Sequence, residues 1–248
     1  NVGYSPELFG KDNHAKRLIT YAASFGNTTL EKLTKYKKAD EVGALLKKFD
    51  AISVRDANSG AIVEQLTGEN PVYNLDPVLT YDYMNCCDKI PQIQTDEKYL
   101  ILYAYAGRIS NKEADWITAY ARKKNLKVYA IGGIQKCADR FVDCSPFEVL
   151  AYFRNAEEVI TDTFHGSIFS VITHRSFTTL IRKSVGNSYG NEEKLSDLLR
   201  RLGLAKRMTT KIEDAENINE KAIDYAKVDG LLKAHREVAK EYLRKYLS

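Results

Sequence analysis

The sequence predicts an α/β protein with two Rossmann-like units, in each of which parallel strands alternate with helices. Residues 17–75 contain three short apolar runs separated by helix-like stretches, and residues 99–181 contain four strands separated by three helices. This alternation is typical of a parallel sheet that is covered by helices. Residues 81–98 hold aromatic residues, a Cys pair and scattered charge without a clean period. We therefore predict that they cross from one unit to the other.

The first series begins with a strand and continues with charged helical segments. Its predicted strands are Arg17–Ala23, Ala51–Val54 and Val72–Leu75. Thr28–Lys48 is heavily charged and is predicted to form a helix in two pieces. Asn58 or Ser59 is expected to cap a helix that runs to Thr67, because Gly68 directly after it is a common helix stop.

The second series has stronger helix signals. Its predicted strands are Tyr99–Tyr103, Lys127–Ile131, Glu158–Thr161 and Phe177–Ile181. Two capping boxes, which begin at Ser110 and Ser145, predict the starts of two helices because Glu stands three residues after each Ser. Gly166 opens the apolar run Ile168–Ile172, which indicates a buried helix. A later stripe of four leucines predicts one more helix, which Gly203 ends.

The C-terminal stretch predicts a final amphipathic helix over about Leu231–Leu247. Its predicted apolar face consists of Leu231, Val238, Tyr242 and Tyr246. Lys, Arg and Glu cover the opposite face, so the helix is amphipathic and mildly basic. Two uses remain open: packing against the core of the first unit, or peripheral docking on an anionic membrane surface.

The length, charge and hydrophobic fraction of the chain limit the classes of protein to which it can belong. The chain has 248 residues, a formal charge of +4 and 44% hydrophobic residues, which is enough for one large domain or two small ones. The charge is too small for the concentrated basic face of a nucleic-acid binder, so we expect no nucleic-acid partner. No run of eighteen apolar residues and no secretory signal pattern occurs. We expect a cytoplasmic protein, and Asn1 in place of Met suggests a chain trimmed at its start.

The cysteines do not form a metal or disulfide pattern. They are Cys86, Cys87, Cys137 and Cys144. Two are adjacent and none makes a Cys-x-x-Cys pair, so neither a structural zinc site nor a disulfide framework is expected. Free thiols in a reducing compartment are the expectation.

His165 is the first candidate functional residue. It is predicted to lie between the carboxyl end of the strand Glu158–Thr161 and the amino end of the following helix. Ligands of open α/β sheets bind at such positions, where the free N–H groups of a helix start suit an anion. Gly166 would let a ligand approach the backbone. A core histidine that holds the turn together is the alternative interpretation.

A second strand end, in the first unit, carries Ser53-Val-Arg-Asp56. Arg55 offers a two-pronged partner for carboxylate or phosphate, whereas His165 can exchange a proton near neutral pH. We expect the two units to bring both side chains to one cleft. Each residue also has a structural alternative: Arg55 as a surface ion pair, and Asp56 or Asp76 as a helix cap.

The order of these motifs resembles a known family. The motifs are Tyr21-Ala-Ala-Ser-Phe-Gly26, Ser53-Val-Arg-Asp56, Asp76-Pro77 and Thr161-Asp-Thr-Phe-His-Gly-Ser167. With Phe177 and the Leu-Gly-Leu at 202–204, they are similar to the polysaccharide pyruvyl transferase family from about Arg17 to Leu204. The resemblance implies a GT-B-like fold of two Rossmann-like domains, of which the N-terminal one is incomplete in this chain.

The resemblance also implies domain boundaries. Residues 1–80 would be the C-terminal part of the N-terminal α/β domain, and residues 81–98 the crossing. Residues 99–215 would form the C-terminal Rossmann-like domain. Residues 216–248 would be helices that pack back on the first domain.

Characterised members of this family transfer the enolpyruvyl carbons of phosphoenolpyruvate to two hydroxyls of a sugar, which forms a cyclic pyruvate ketal and releases phosphate. The resemblance implies that Arg55 holds the carboxylate or phosphate of this donor. His165 would bind the phosphate or donate the proton to the methylene carbon, a step that needs a general acid. Asp162 and Asp56 would orient these groups or act as base for the attacking hydroxyl.

The helix start would complete the donor site. Gly166 and Ser167 would supply backbone donors to the phosphate, and Thr163 stands where some members carry an arginine that binds the donor. No metal and no cofactor is expected, since phosphoenolpyruvate is a substrate. The acceptor would be a saccharide of a surface polysaccharide or its lipid-linked precursor, in the cytoplasm or at the inner face of the membrane.

Two other functions stay open at this point. One is a GT-B glycosyltransferase that uses a nucleotide sugar, although no base- or ribose-binding signature is recognisable. The other is a non-catalytic relative that binds a saccharide, which Thr163 and the absent front end favour. The polar, Gly-rich segment after Ile181, residues 182–190, has the composition of an active-site loop in either enzyme.

Overall fold

The computed structural model describes residues 4–182 and 192–247, and the chain divides into two compact units. The first unit comprises residues 1–80 and 230–248, and the second comprises residues 81–229. Residues 216–229 therefore belong to the second unit, whereas we predicted that 216–248 as a whole would pack on the first domain. In the described part of the chain, no helix is both long enough and apolar enough to span a bilayer.

The first unit is a small parallel α/β layer. Its elements are α1 (Leu30–Lys35), α2 (Ala39–Leu46), β1 (Ser53–Val54), α3 (Ala57–Thr67), β2 (Val72–Tyr73) and the second part of α10 (Tyr225–Leu247). Strands β1 and β2 pair in parallel. The predicted division of the charged stretch into two helices is confirmed by α1 and α2.

The predicted first strand is wrong, because Arg17–Ala23 makes only two isolated bridges. Ile19 pairs with Ala51, and Ala23 pairs with Val54. Between these two points Ala22 has φ of 47°, a left-handed conformation that interrupts an extended strand. The segment still lies beside β1 in parallel. It therefore has the predicted neighbour in the layer, although no continuous ladder of hydrogen bonds joins the two.

Helix α3 begins earlier than predicted. Asp56 is its cap, and its carboxylate accepts the N–H of Ser59 at 2.8 Å, so neither Asn58 nor Ser59 fills that role. The predicted end is confirmed, since Gly68 follows Thr67 with φ of 80°. The apolar core of this layer consists of Leu33, Val42, Leu46, Val54, Ile62 and Val63.

The C-terminal helix α10 packs on the first unit through a face that includes Tyr242 of the predicted face but not Val238. Its start, Tyr225, is also earlier than predicted. Leu232, Ala239 and Tyr242 are buried, whereas Val238 of the predicted face is exposed. The Tyr242 hydroxyl donates to the carbonyl of Thr20 at 2.7 Å. These contacts favour the core-packing use of the helix, because the buried stripe is occupied within its own unit.

The second unit contains a six-stranded parallel sheet. Its strands are β3 (Tyr99–Tyr103), β4 (Lys127–Ile131), β5 (Arg140–Phe141), β6 (Glu158–Thr161), β7 (Ser176–Leu180) and β8 (Met208–Thr209). Its helices are α4 (Tyr83–Cys86), α5 (Asn111–Lys123), α6 (Pro146–Asn155), α7 (Phe164–Ile172), α8 (Glu192–Arg201), α9 (Ala215–Asn219) and the start of α10. The four predicted strands are present, and the two edge strands β5 and β8 were not predicted.

Both capping boxes are confirmed. The hydroxyl of Ser110 accepts the N–H of Glu113, and the Glu113 carboxylate accepts the N–H of Ser110 at 2.9 Å. At α6 the Glu148 carboxylate accepts the N–H of Ser145 at 2.8 Å. Such reciprocal bonds satisfy helix-start donors that have no partner within the helix. They therefore fix the residues at which α5 and α6 begin.

The strand order indicates the point at which this sheet would bind a ligand. The order is β5-β4-β3-β6-β7-β8, so the chain adds β4 on one side of β3 and later adds β6 on the other. In open parallel sheets, ligands bind outside the carboxyl ends of the strands at which the order reverses. That point lies here between the ends of β3 and β6, where Tyr103 pairs with Thr161.

Candidate active site

The first turn of α7 is built directly on the end of β6. Thr163 is the helix cap, and its hydroxyl oxygen accepts the N–H of Gly166 at 2.9 Å. The hydroxyl of Thr161 donates to the carbonyl of Tyr103 at 2.7 Å and accepts the N–H of Thr163 at 3.0 Å. Helix α7 therefore begins at Phe164, two residues earlier than predicted, and this difference places the candidate histidine inside its first turn.

Two of the predicted donor-binding groups are used within the helix itself. The N–H of Gly166 bonds to Thr163 as described, and the N–H of Ser167 donates to the Thr163 carbonyl at 3.3 Å. The hydroxyl of Ser167 is fully buried and lies 2.9 Å from that of Thr179. The prediction that these two N–H groups bind the phosphate is therefore wrong, because both already donate hydrogen bonds to Thr163 within the helix start.

His165 is exposed on the first turn of α7. The centroid of its ring lies 5.7 Å from that of Phe164 and 6.0 Å from that of Phe169. The imidazole therefore contacts two aromatic rings on the side that faces the protein. The alternative interpretation as a buried core histidine is wrong. An exposed imidazole at the carboxyl edge of a sheet can exchange a proton with a bound substrate.

Asp162 directly precedes this turn and is fully buried between two arginines. Its Oδ2 atom lies 3.5 Å from Nε of Arg182 and 3.8 Å from a terminal nitrogen of Arg108. Burial raises the pKa of the Asp162 carboxyl above its ordinary value, although the charges of Arg108 and Arg182 act in the opposite direction. A carboxylate in this position is suited to orient its neighbours, which is one of the two roles the resemblance implied.

Arg182 is fixed on its other side by the capping box of α5. Its NH1 atom donates to Glu113 at 2.6 Å, while the second oxygen of Glu113 caps the helix at Ser110. Burial raises the pKa of Glu113, but the bonds from Arg182 and Ser110 more than offset this, and the pKa lies below its ordinary value. The charged residues thus form one connected row at the end of the sheet.

Sequence reasoning missed Arg108 altogether and noted Arg182 only as part of a loop. Arg108 lies in the connection after β3, and Arg182 follows β7. The signal was available in principle, since each arginine comes within five residues after the end of a parallel strand. What could not be read from the sequence is which strand ends are neighbours, because that depends on the strand order.

In the first unit, Arg55 and Asp56 follow β1. A terminal nitrogen of Arg55 bonds to the buried carboxylate of Asp76, and the other oxygen of Asp76 accepts the N–H of Val78. Asp56 accepts from Ser24 at 2.6 Å in addition to capping α3. The structural alternatives for these three residues are therefore observed. Asp56 caps α3, and Asp76 caps the short turn that begins directly after it. Arg55 is part of an ion pair, although its side chain stays partly exposed.

No metal centre is evident in the part of the chain that the structure describes, where no group of three or more His, Cys, Asp or Glu side chains could hold an ion. The four cysteines are free thiols. The predicted active-site loop, residues 182–190, continues after Arg182 into residues 183–190, which lie outside the described residues.

Comparison with protein families supports the motif assignment. A sequence model of the family described as polysaccharide pyruvyl transferase matches residues 2–184 of the chain, which is well over half of its length and includes the motifs around Arg55 and His165. No curated protein matches the chain.

Three solved structures are similar to the chain to different degrees, and the first of them supports the fold class. UDP-GlcNAc 2-epimerase from Methanocaldococcus jannaschii is similar with a TM-score of 0.60 and 11% identity, over 92% of this chain and 70% of that one. The glycotransferase of kitacinnamycin has a TM-score of 0.48 at 12% identity, over 88% and 63% of the two chains. A variant of the wall teichoic acid polymerase TagF has a TM-score of 0.44 at 11% identity, over 92% and 64%. The α/β fold of GT-B type with parallel sheets is confirmed.

Proposed function

This chain belongs to the polysaccharide pyruvyl transferase family, and we propose that it transfers the enolpyruvyl group of phosphoenolpyruvate to two hydroxyls of a saccharide. The product is a cyclic pyruvate ketal, and inorganic phosphate is released. The acceptor is a saccharide of a surface polysaccharide or its lipid-linked precursor. The reaction takes place in the cytoplasm or at the inner face of the membrane.

The chemistry of this transfer sets what the protein must supply. A proton adds to the methylene carbon of the donor, which becomes a methyl group and leaves positive charge on the adjacent carbon. One sugar hydroxyl attacks that carbon, the bond to the phosphate oxygen breaks, and the second hydroxyl takes its place. Each of the two hydroxyls loses one proton. One of these protons replaces the proton that was added to the methyl group, and the other leaves with phosphate or goes to solvent. A proton donor and an anion-binding group are therefore required.

The exposed imidazole of His165 is the observation that carries the proposal. It stands in the motif that matches the family, on the first turn of α7 and beside the carboxyl end of β6. An imidazole there can deliver the proton to the methylene carbon, and its protonated form adds positive charge next to the donor phosphate. Arg55, whose guanidinium is partly exposed, is assigned to the donor carboxylate through its planar fork.

The two acids take supporting roles in this proposal. Asp162 and Asp56 are both buried, so each acts by orienting a neighbouring group rather than by direct proton transfer to a sugar hydroxyl. Thr163 contributes by capping the helix that carries His165. These assignments need no metal ion and no cofactor.

A thermal-shift panel separates this function from a nucleotide-sugar transferase. A ligand that binds only the native state raises the apparent melting temperature by mass action. We expect phosphoenolpyruvate to raise the melting temperature of the full chain, and the Arg55→Lys variant to show a smaller rise, since an ammonium cannot reproduce the guanidinium fork. A rise with nucleotide sugars and free nucleotides, but none with phosphoenolpyruvate, would contradict the proposal.

A direct assay then follows the transferred carbons. Phosphoenolpyruvate labelled in its methylene carbon is incubated with the enzyme and a bacterial saccharide-lipid extract. The expected result is label in the saccharide fraction together with an equal amount of free phosphate. Phosphate without labelled saccharide would indicate hydrolysis and would reject the transfer.

A further inference from the structure

A cavity of about 980 Å³ lies within the first unit, and the residues assigned to the reaction do not line it. Sites for small molecules in proteins typically have volumes of about 300–1,000 Å³ and a mostly apolar lining. Leu8 and Tyr36, which are 72% and 68% exposed, line this cavity together with side chains of the apolar core. The cavity therefore reaches from the core of the unit to solvent. The core side chains in its lining are Leu33, Leu46, Val54 and Val63.

Two hydroxyl groups of the lining already make hydrogen bonds within the protein. The hydroxyl of Thr20 donates to the carbonyl of Ser53 and accepts the N–H of the same residue, both at 2.8 Å. The hydroxyl of Ser24 donates to Asp56 at 2.6 Å and accepts the N–H of Gly26 at 3.1 Å. A buried sugar ring needs a partner for each of its hydroxyls, whereas a hydrocarbon chain needs none. The lining therefore favours a hydrocarbon chain as the occupant.

Two lysines in the lining differ in how their charge is balanced. The ammonium of Lys38 lies 2.8 Å from the carboxylate of Glu41, with which it forms an ion pair. Lys32 is exposed, and its ammonium donates to the carbonyl of Asn27 at 2.8 Å. Because that acceptor is neutral, Lys32 keeps its positive charge at the solvent end of the cavity. An ammonium in this position suits a phosphate group.

The cavity adjoins the carboxyl end of β1, which Arg55 follows. Val54, the last residue of β1, lines the cavity and directly precedes Arg55. The backbone N–H of Arg55 donates to the carbonyl of Ala23 at 3.1 Å, and Ala23 also lines the cavity. The cavity and the residue assigned to the donor carboxylate are therefore neighbours within one unit.

We propose that this cavity binds the hydrocarbon chain of a lipid-linked saccharide acceptor, and that Lys32 contacts the phosphate that joins the chain to the saccharide. The saccharide part of this ligand rests on the proposed function. The chain site rests on the apolar lining, on the hydroxyls that are already bonded and on the position of Lys32. The acceptor is thus the lipid-linked precursor and not a finished polysaccharide.

Calorimetric titration of the full chain with alkyl phosphates tests the chain site without a saccharide. The probes are inorganic phosphate, butyl phosphate and octyl phosphate, the last at concentrations below those at which it forms micelles. Each methylene group that is buried strengthens binding by roughly fourfold. We expect octyl phosphate to bind at least tenfold more tightly than butyl phosphate, and inorganic phosphate to bind most weakly. Equal affinities for the two alkyl phosphates would overturn the proposal, and so would binding of maltose that displaces octyl phosphate.

Two exposed positions locate this binding in the cavity. Leu8→Ser removes apolar surface from the lining, and we expect it to weaken octyl phosphate binding at least threefold. Its matched control is Leu247→Ser, at a leucine of α10 that is 67% exposed and does not line the cavity. Lys32→Glu should weaken both alkyl phosphates at least threefold, whereas Lys47→Glu, at an exposed lysine outside the lining, should change neither by more than twofold. Unchanged octyl phosphate affinity in Leu8→Ser overturns the chain site, and unchanged affinity in Lys32→Glu overturns the role of that lysine.

The transfer assay separates the chain site from the proposed function. We expect the KM for a lipid-linked saccharide to rise at least threefold in Leu8→Ser while kcat stays within twofold, because the variant loses acceptor binding and keeps the proton donor. Binding that depends on chain length, without any pyruvyl transfer, would reject the proposed function and leave the chain site intact. Transfer with the same KM for a saccharide with and without its lipid would overturn the chain site and leave the proposed function intact.

Discussion

Gly166 packs so closely on Thr161 that a Cβ atom at Gly166 would lie 2.1 Å from the Thr161 hydroxyl oxygen. That hydroxyl cannot easily withdraw, since it bonds to the carbonyl of Tyr103 and to the N–H of Thr163. The contact therefore ties the first turn of α7 to the ends of both β3 and β6. The position of His165 is a consequence of this packing.

Gly166→Ala should therefore lower the stability of the chain. Overpacking of a close contact typically costs about 1–3 kcal/mol, and we expect a loss of this size in urea unfolding. The control is Gly230→Ala in α10, where no atom lies within 4 Å of the added Cβ. Alanine in a helix is favoured over glycine by up to about 1 kcal/mol, so that variant should be as stable as the natural chain or more so. Equal stability of the two variants would contradict the packing argument.

His165→Ala should abolish pyruvyl transfer and leave the fold intact. The imidazole is exposed, so its removal creates no cavity in the core. We expect transfer of labelled pyruvyl carbons to fall at least a hundredfold, which is within the range for a lost general acid, with an unchanged circular dichroism spectrum. His14→Ala, at another exposed histidine, should retain full activity. Turnover that survives in His165→Ala would show that another group donates the proton.

Glu113→Gln should alter the dependence of stability on pH. The pKa of Glu113 is lower in the folded state than its ordinary value of 4.5. The unfolded state therefore binds its proton first as the pH falls, and the stability that Glu113 contributes is present above about pH 4.5 and is lost as pH falls through the lowered pKa.

We expect this variant to be about 1–3 kcal/mol less stable than the natural chain at pH 7, because it loses a bond between charged groups. The difference should shrink between pH 5 and pH 3 in urea unfolding. Glu64→Gln, at an exposed position of α3, is the control and should differ little from the natural chain at either pH. If the difference in free energy of unfolding between Glu113→Gln and the natural chain stays constant down to pH 3, the lowered pKa of Glu113 does not contribute to stability.

The cysteines should react with iodoacetamide in a defined order. Burial raises the pKa of the Cys144 thiol to about 11, so at pH 8 only roughly one in a thousand of these thiols is the reactive thiolate. Cys86 is exposed and should be alkylated first. Peptide mass spectrometry over time measures the order, and in 8 M urea the two rates should become similar. Rapid labelling of Cys144 in the native chain would show that its thiol is not shielded.

The elements that sequence reasoning predicted well are those with several agreeing local signals. The two capping boxes at Ser110 and Ser145 marked the starts of α5 and α6, and Gly68 marked the end of α3. The errors occur where a single hydrogen bond or backbone angle, and not a periodic pattern, sets the boundary of an element. Helix α7 starts at Phe164 because the Thr163 hydroxyl bonds to Gly166, and Arg17–Ala23 makes isolated bridges because Ala22 turns the backbone.

The amino-acid sequence by itself determined the alternation of strands and helices, the motif around His165 and the resemblance that the family match confirms. These features depend on residues that are close together in the chain, so local patterns are sufficient to predict them. Only the tertiary structure decided that Arg108, Asp162 and Arg182 form one row. They come from three separate connections, and their proximity follows from the order in which parallel strands pair, a non-local choice that no local pattern encodes.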